Sequence, residues 1–374
     1  MRNRILTAGV VALMAATAYG CGGTDTTSGT TTGEGGSATT VTSTATGTGT
    51  SSATTSGGTT SGGTTSSTSG GTGGAAPIVC TPSDGIALAI NALDFGDVGT
   101  NTSASQKLGF NIDALVSTAG STDLCQPANG GDKAKVYPDG ANGIDNSFGA
   151  NVLPLLLMLA PGFSDSVTSN ITDGSFTIML DFVGITAAAD QPTLVTRLYG
   201  GGSLGMPPAF DGKDCWPVTP ELLINPADIK SSSVKFDKSS IVGNKWSSGA
   251  AGTIQLTVPA GPGTITLNIH KAQVVLDLSA DHLSATGGMI GGVLDTNEFV
   301  TEVKKAVYGI NPAYCVAIGT VETKIRQASD ILNDGSQDKT KPCNGISIGF
   351  GFTMKSVQLG GVGPKTPPAT MSCQ

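Results

Sequence analysis

Gly201-Gly202-Ser203-Leu204-Gly205 fits the GxSxG spacing of a nucleophile elbow, and Gly200, Gly202 and Gly205 fit the GxGxxG of a phosphate-binding turn. Both chemistries need a helix next, because its N-terminal N–H groups present the nucleophile or hold the anion. Met206-Pro207-Pro208 follows instead, and a residue before proline is pushed out of helical space. A glycine-rich loop is expected there. A serine hydrolase also requires histidine, and the chain has only His270 and His282. At about 3.4 Å per residue, the strand predicted over Ala272 to Leu278 separates them by roughly 20–25 Å, too far for one site. Neither sits in HxxxH or HExxH spacing, so zinc hydrolysis lacks its ligands. Both are expected as solvated turn residues.

The polar string that could hold an ion runs from Asp139 to Gly149, DGANGIDNSFG. Asp139, Asn142, Asp145 and Asn146 offer hard oxygen donors of the kind calcium prefers, interleaved with glycines that permit a tight loop. The spacing is not that of an EF-hand. Asx-turns, in which these side chains accept nearby backbone N–H groups, explain the same string. Calcium is the one cofactor the residues suggest. A second acidic loop carries Asp330, Asp334 and Asp338, with Asp330 still inside a predicted helix.

The elements that must position these residues are mostly strands. Ile254, Leu256 and Val258 alternate with polar residues, and after PAGPG the alternation returns as Ile265, Leu267 and Ile269. That pattern predicts a hairpin with one buried face. Val274, Leu276 and Leu278 continue in the opposite phase, so His270-Lys271 must be a turn or a bulge. Further strands are expected at Phe176 to Phe182, Leu194 to Tyr199 and Ile346 to Met354, with Gly349 and Gly351 allowing curvature or close backbone approach. Helices are expected at Val152 to Ala160, Glu298 to Tyr308 behind the cap candidates Asp295 and Thr296, and Ala313 to Leu332 ending at Gly335. The fold class is mainly β, α+β in detail: a β-sandwich with an antiparallel meander and two or three packed helices.

Seven cysteines occur, and setting Cys21 aside leaves an even set: Cys80, Cys125, Cys215, Cys315, Cys343 and Cys373. No CxxC spacing exists, so disulfides rather than metal ligation are expected. Many pairings are open. The elements favour Cys315–Cys343 as a helix-to-strand clip, which leaves Cys80–Cys373 joining the domain's ends and Cys125–Cys215 its loops.

Cys21 is set aside because of what precedes it. Arg2 and Arg4 followed by the apolar stretch Ile5 to Ala18 read as an export signal, too short to span a bilayer. The segment resembles the signal of bacterial lipoproteins, in which Cys21 becomes the lipidated first residue; ordinary cleavage after Ala16-Thr17-Ala18 is the alternative, and cysteine parity favours lipidation. Gly22 and Gly23, with no Asp after the cysteine, imply by the same resemblance an outer-membrane destination. Residues 21–76 are almost wholly Thr, Ser and Gly, a composition that cannot offset the entropy of ordering. They read as a tether with a span of roughly 40 Å. The organisation is therefore a signal over 1–20, an anchor and tether over 21–76 and a globular domain over 77–374.

Upstream of that domain lie Arg2, Arg4, Asp25 and Glu34, so the domain carries 18 of the 20 Lys and Arg and 26 of the 28 Asp and Glu. Such a balance, with no basic cluster, excludes nucleic acid as an expected partner. The GIDNSFG string, IRQASDILNDGSQD, CNGISIGFGF and the Thr/Gly tether are together similar to a family of outer-membrane lipoproteins of myxobacteria. That resemblance spans most of the folded domain and implies a location but no activity. The expectation is a non-enzymatic envelope protein, anchored through lipid, whose domain binds a glycan, peptide or envelope partner; the alternative is a secreted hydrolase using paired carboxylates.

Overall fold

Period-two burial builds a run of strands whose first and last members meet. The computed structural model describes residues 79–80, 83–98, 101–126, 137–249, 252–260, 263–365 and 371–374; Cys21, the signal and the tether lie outside them. The strands are β1 (Gly85–Asp94), β2 (Thr177–Val183), β3 (Gln191–Gly201), β4 (Cys215–Val218), β5 (Val234–Val242), β6 (Lys245–Ser247), β7 (Gly252–Ala260), β8 (Gly263–Leu278), β9 (Ser284–Asp295) and β10 (Gly345–Val362). Eight of them close a ring, β1-β2-β3-β5-β6-β8-β9-β10 and back to β1, every neighbour antiparallel. The β-rich expectation holds, but the architecture is a barrel, not a sandwich. The reason is the pairing of β10 with β1 and of β3 with β5, which leaves no second sheet for the apolar faces to meet, only a shared interior.

Eight strands enclose just enough room for side chains to fill. Trp246 is fully buried, with Phe182 edge-on at 5.6 Å and Phe236 edge-on at 5.7 Å. Phe95, buried just after β1, lies 5.7 Å from Phe350 and 5.5 Å from Phe163. Each such ring removed from water contributes about 1.5–3 kcal/mol.

Short turns close the end of the barrel where β2 meets β3, β5 meets β6 and β8 meets β9. The opposite end carries the helices α1 (Leu153–Leu159), α2 (Phe163–Thr172), α3 (Thr296–Ile310) and α4 (Ile318–Gln327), together with the β7–β8 hairpin. Val167 and Ile171 of α2, and Phe299, Val300 and Val303 of α3, are buried in the same core as the strands. Asp295 caps α3 by accepting from the backbone N–H of Asn297 and Glu298. No single helix among the described residues is long and apolar enough to cross a membrane. After Val357, β10 leaves β1 and pairs in parallel with β4, and this ribbon covers the outward-facing Ala87, Ala89, Met179 and Tyr199.

Several sequence expectations are corrected. The helix expected over Ala313 to Leu332 splits into a 3-10 turn at Pro312–Ala317 and α4, which ends at Gln327 because Asp330 and Ile331 bond to Gly345. Of the turn or bulge expected at His270-Lys271, the bulge is what forms: β8 continues through it, with Lys271 at φ 51°. None of the three expected cysteine pairings forms. Cys80 joins Cys215, Cys125 joins Cys343, and Cys315 joins Cys373. Backbone bonds between Gln126 and Lys341 and between Cys343 and Gln126 lay Cys125 beside the entry to β10, while Cys373 bonds Lys304 of α3 and so reaches the neighbouring Cys315.

Candidate functional site

The Asp139-to-Gly149 string forms a junction between loop and barrel wall. Asp145, 3% exposed, accepts the N–H of Ile112 at 2.7 Å, and its own N–H bonds Phe110. Asp139 accepts the N–H of Ser117 at 2.5 Å. Asp330 accepts both the N–H and the hydroxyl of Ser347, at 2.9 and 2.5 Å. Asp113, held by Leu115 N–H and the amide of Gln337, completes a group of four aspartates. Burial first, then the charges of Asp113, Asp330 and Asp139, pushes Asp145 up to about 8. Burial likewise raises Asp330 to about 7 and raises Asp139, against the pull of the hydrogen bonds each receives.

Of the four calcium candidates, Asp139 interacts with Asp145 and shares a small cavity with Asn146, while Asn142 lies outside that lining. Asn146 spends its side chain on backbone: its Oδ1 accepts from Gly149 and Gly349, and its Nδ2 donates to the carbonyls of Ser105, Leu108 and Gly349. Asn142 sits exposed at φ 60° and forms the turn itself. Asp139 and Asp330 line a cavity of about 20 Å³, room for one water. Among the described residues, no three His, Cys, Asp or Glu side chains are arranged to hold a metal ion. Asp113 escaped the sequence reading, because nothing local marks a residue that joins the group from a separate loop.

Two larger grooves flank the β7–β8 hairpin. One, about 430 Å³, is mainly apolar and lies between the hairpin, at Leu256 and Pro259, and the barrel rim at Phe176, Ile178 and Gly200 to Ser203. The GxSxG string thus ends at a groove, yet residues 202–214 contain no helix, and the loop is the glycine-rich rim expected. The other groove, about 460 Å³, opens at the hairpin base and is polar, lined by Thr253, His270, Lys271, Asp295, Glu298 and Asp334. His270 Nε2 lies 3.3 Å from Glu298 Oε2, which Asn268 also reaches at 3.3 Å. His270 is half-exposed, whereas His282 departs from expectation: it is 1% exposed, packed in the β8–β9 turn with Nε2 3.2 Å from Asn244 Oδ1. His270 lies midway along β8, and His282 lies in the turn beyond its end.

A third polar group is closed to ligands. Asp181, on the outer wall and 1% exposed, accepts Ser83 Oγ at 2.6 Å and Arg197 Nη1 at 3.2 Å. Burial raises its pKa while Ser83 and Arg197 pull it down. Compared with protein-family models, curated proteins and solved structures, the chain matches none.

Proposed function

We propose that this chain is an exported protein held in the outer membrane by lipid on Cys21, displaying the barrel on a Thr/Ser/Gly tether as a non-enzymatic module for a glycan, peptide or envelope partner. The observation that carries this reading is the cysteine pairing: every cysteine downstream of Cys21 has a partner, as suits an oxidising compartment, and Cys21 alone is left for another chemistry. The barrel interior is filled by side chains, so ligands must be met outside, and the helix-bearing end has the two open grooves. The paired acids Asp139 and Asp330 share room for one water, which favours binding over carboxylate hydrolysis of a polymer. Calcium belongs to the reading only through the buried aspartates.

Mass spectrometry of the mature protein tests it. An acylated Cys21 at the N-terminus and no free thiol are expected; a chain starting at Tyr19 with a titratable thiol overturns the reading. Melting with calcium and with EDTA tests the ion: identical curves remove calcium from it.

A further inference from the structure

We propose that the polar groove at the base of the β7–β8 hairpin binds a neutral polyhydroxylated ligand, an oligosaccharide chain; this deepens, and rests on, the reading of the domain as a binding module. The groove is built by the bulge in β8, where the register with β9 shifts between His270 and Gln273 and Lys271 takes φ 51°. Positive φ is uncommon for a long side chain, and bulges re-aim the residues they carry. Here both His270 and Lys271 line the groove opposite the start of α3.

What lines it is a series of matched donors and acceptors. Glu298 Oε2 faces His270 Nε2 and Asn268 Nδ2, each at 3.3 Å. Asp295 Oδ2 accepts Asn333 Nδ2 at 3.1 Å, its other oxygen capping α3. Lys271 lowers the pKa of Asp334 across the groove, after the larger effect of the Ser336 hydrogen bonds. An anion entering this row meets the carboxylates of Asp295, Glu298 and Asp334, and each of the three already takes hydrogen bonds from a neighbouring side chain, Asn333, Asn268 or Ser336. An apolar ligand would strip water from paired polar groups with nothing to replace it, at a cost of about 1–3 kcal/mol for each group left unsatisfied. A hydroxyl both donates and accepts, so a sugar can insert at each pair without a mismatch. The volume, about 460 Å³, lies within the range of small-ligand sites.

Titration with cellohexaose, chitohexaose and maltoheptaose, followed by amide NMR, decides the matter. At least one should bind at millimolar concentration or below, with shifts gathered at residues 252–253, 268–271, 295–298 and 333–334. Glu298→Gln and Asn333→Ala should each weaken it by about tenfold, roughly one lost hydrogen bond. Thr257→Val, in the apolar groove, should leave it unchanged, and circular dichroism of each variant should match the parent. No binding by any of the three, or binding indifferent to both groove substitutions in folded protein, overturns the proposal while leaving the envelope reading to the N-terminal mass. Shortened oligosaccharides in the mixture would instead overturn the non-enzymatic part of that reading and leave the site in place.

Discussion

Asn146 ties together the loop at Ser105 and Leu108, the turn at Gly149 and strand β10 at Gly349, which is why an amide rather than a carboxylate is needed at the centre of the DNS string. Asp145 beside it has the opposite difficulty, a carboxyl shut away among three others. Its pKa rises from 3.8 to about 8 on folding, so the folded state holds the proton more tightly than the unfolded chain. That contribution to stability is fully present below the unfolded value and is lost as pH climbs through about 8. Melting temperature should therefore fall between pH 5 and pH 9. Asp145→Asn, which still accepts from Ile112 and carries no charge, should gain on the parent as pH rises from 5 to 9, by about 2–4 °C for each kcal/mol relieved; parallel curves for the two proteins would refute the assignment. The sequence displayed these oxygens but not their use, because whether an Asp oxygen takes a metal or an N–H depends on the distant Ile112, Ser117 and Ser347.

Strand β10 shows how an element was legible on one face and not the other. Ile346, Ile348, Phe350 and Phe352 alternate and are buried as their period demands. On the reverse face, a Cβ at Gly349 would lie 2.4 Å from the carbonyl oxygen of Leu108, and one at Gly291 of β9 would lie 2.7 Å from the Phe110 ring. The glycines were read as room for close approach, but what approaches, the 108–112 segment, has no periodic pattern to reveal it. Gly349→Ala should cost about 1–3 kcal/mol through overpacking and speed amide exchange at residues 108–112 and 145–149. Gly319→Ala is the control: nothing lies within 4 Å of its Cβ position in α4, so it should gain about 0.5–1 kcal/mol. Equal stability of the two variants in urea would contradict this packing. β7 and β8 were visible because they bury one face only, whereas β1, with Ala87 and Ala89 under the ribbon and Leu88 and Ile90 inside, is apolar on both faces and lacks that alternation.

Barrel closure is a property of no single segment. The pairings of β10 with β1 and of β3 with β5 join residues far apart in sequence, and a periodic pattern tells only that a strand has an inside. The same distance hid the disulfides, since neighbours in space such as Gln126 and Cys343 are remote in the chain. The bonds close sequence separations of 135, 218 and 58 residues, each worth up to about 4–5 kcal/mol in the chain-entropy model. Full reduction should accordingly lower the melting temperature by about 25 °C or more. A melt unchanged by reductant, with thiol titration confirming six free sulfhydryls, would rule out these bonds as stabilising staples.

Their placement also governs how the molecule answers traction. Cys80 precedes β1, and Cys373 is the next-to-last residue. A pull on the two termini enters and leaves through sulfur, so 81–214 and 316–372 lie in covalent loops bridged at Cys125–Cys343. Stretched to its limit, the oxidised chain between Cys80 and Cys373 opens as a closed mesh with two parallel routes, one through 215–315 and one through 80–125 and 343–373, rather than as a single thread.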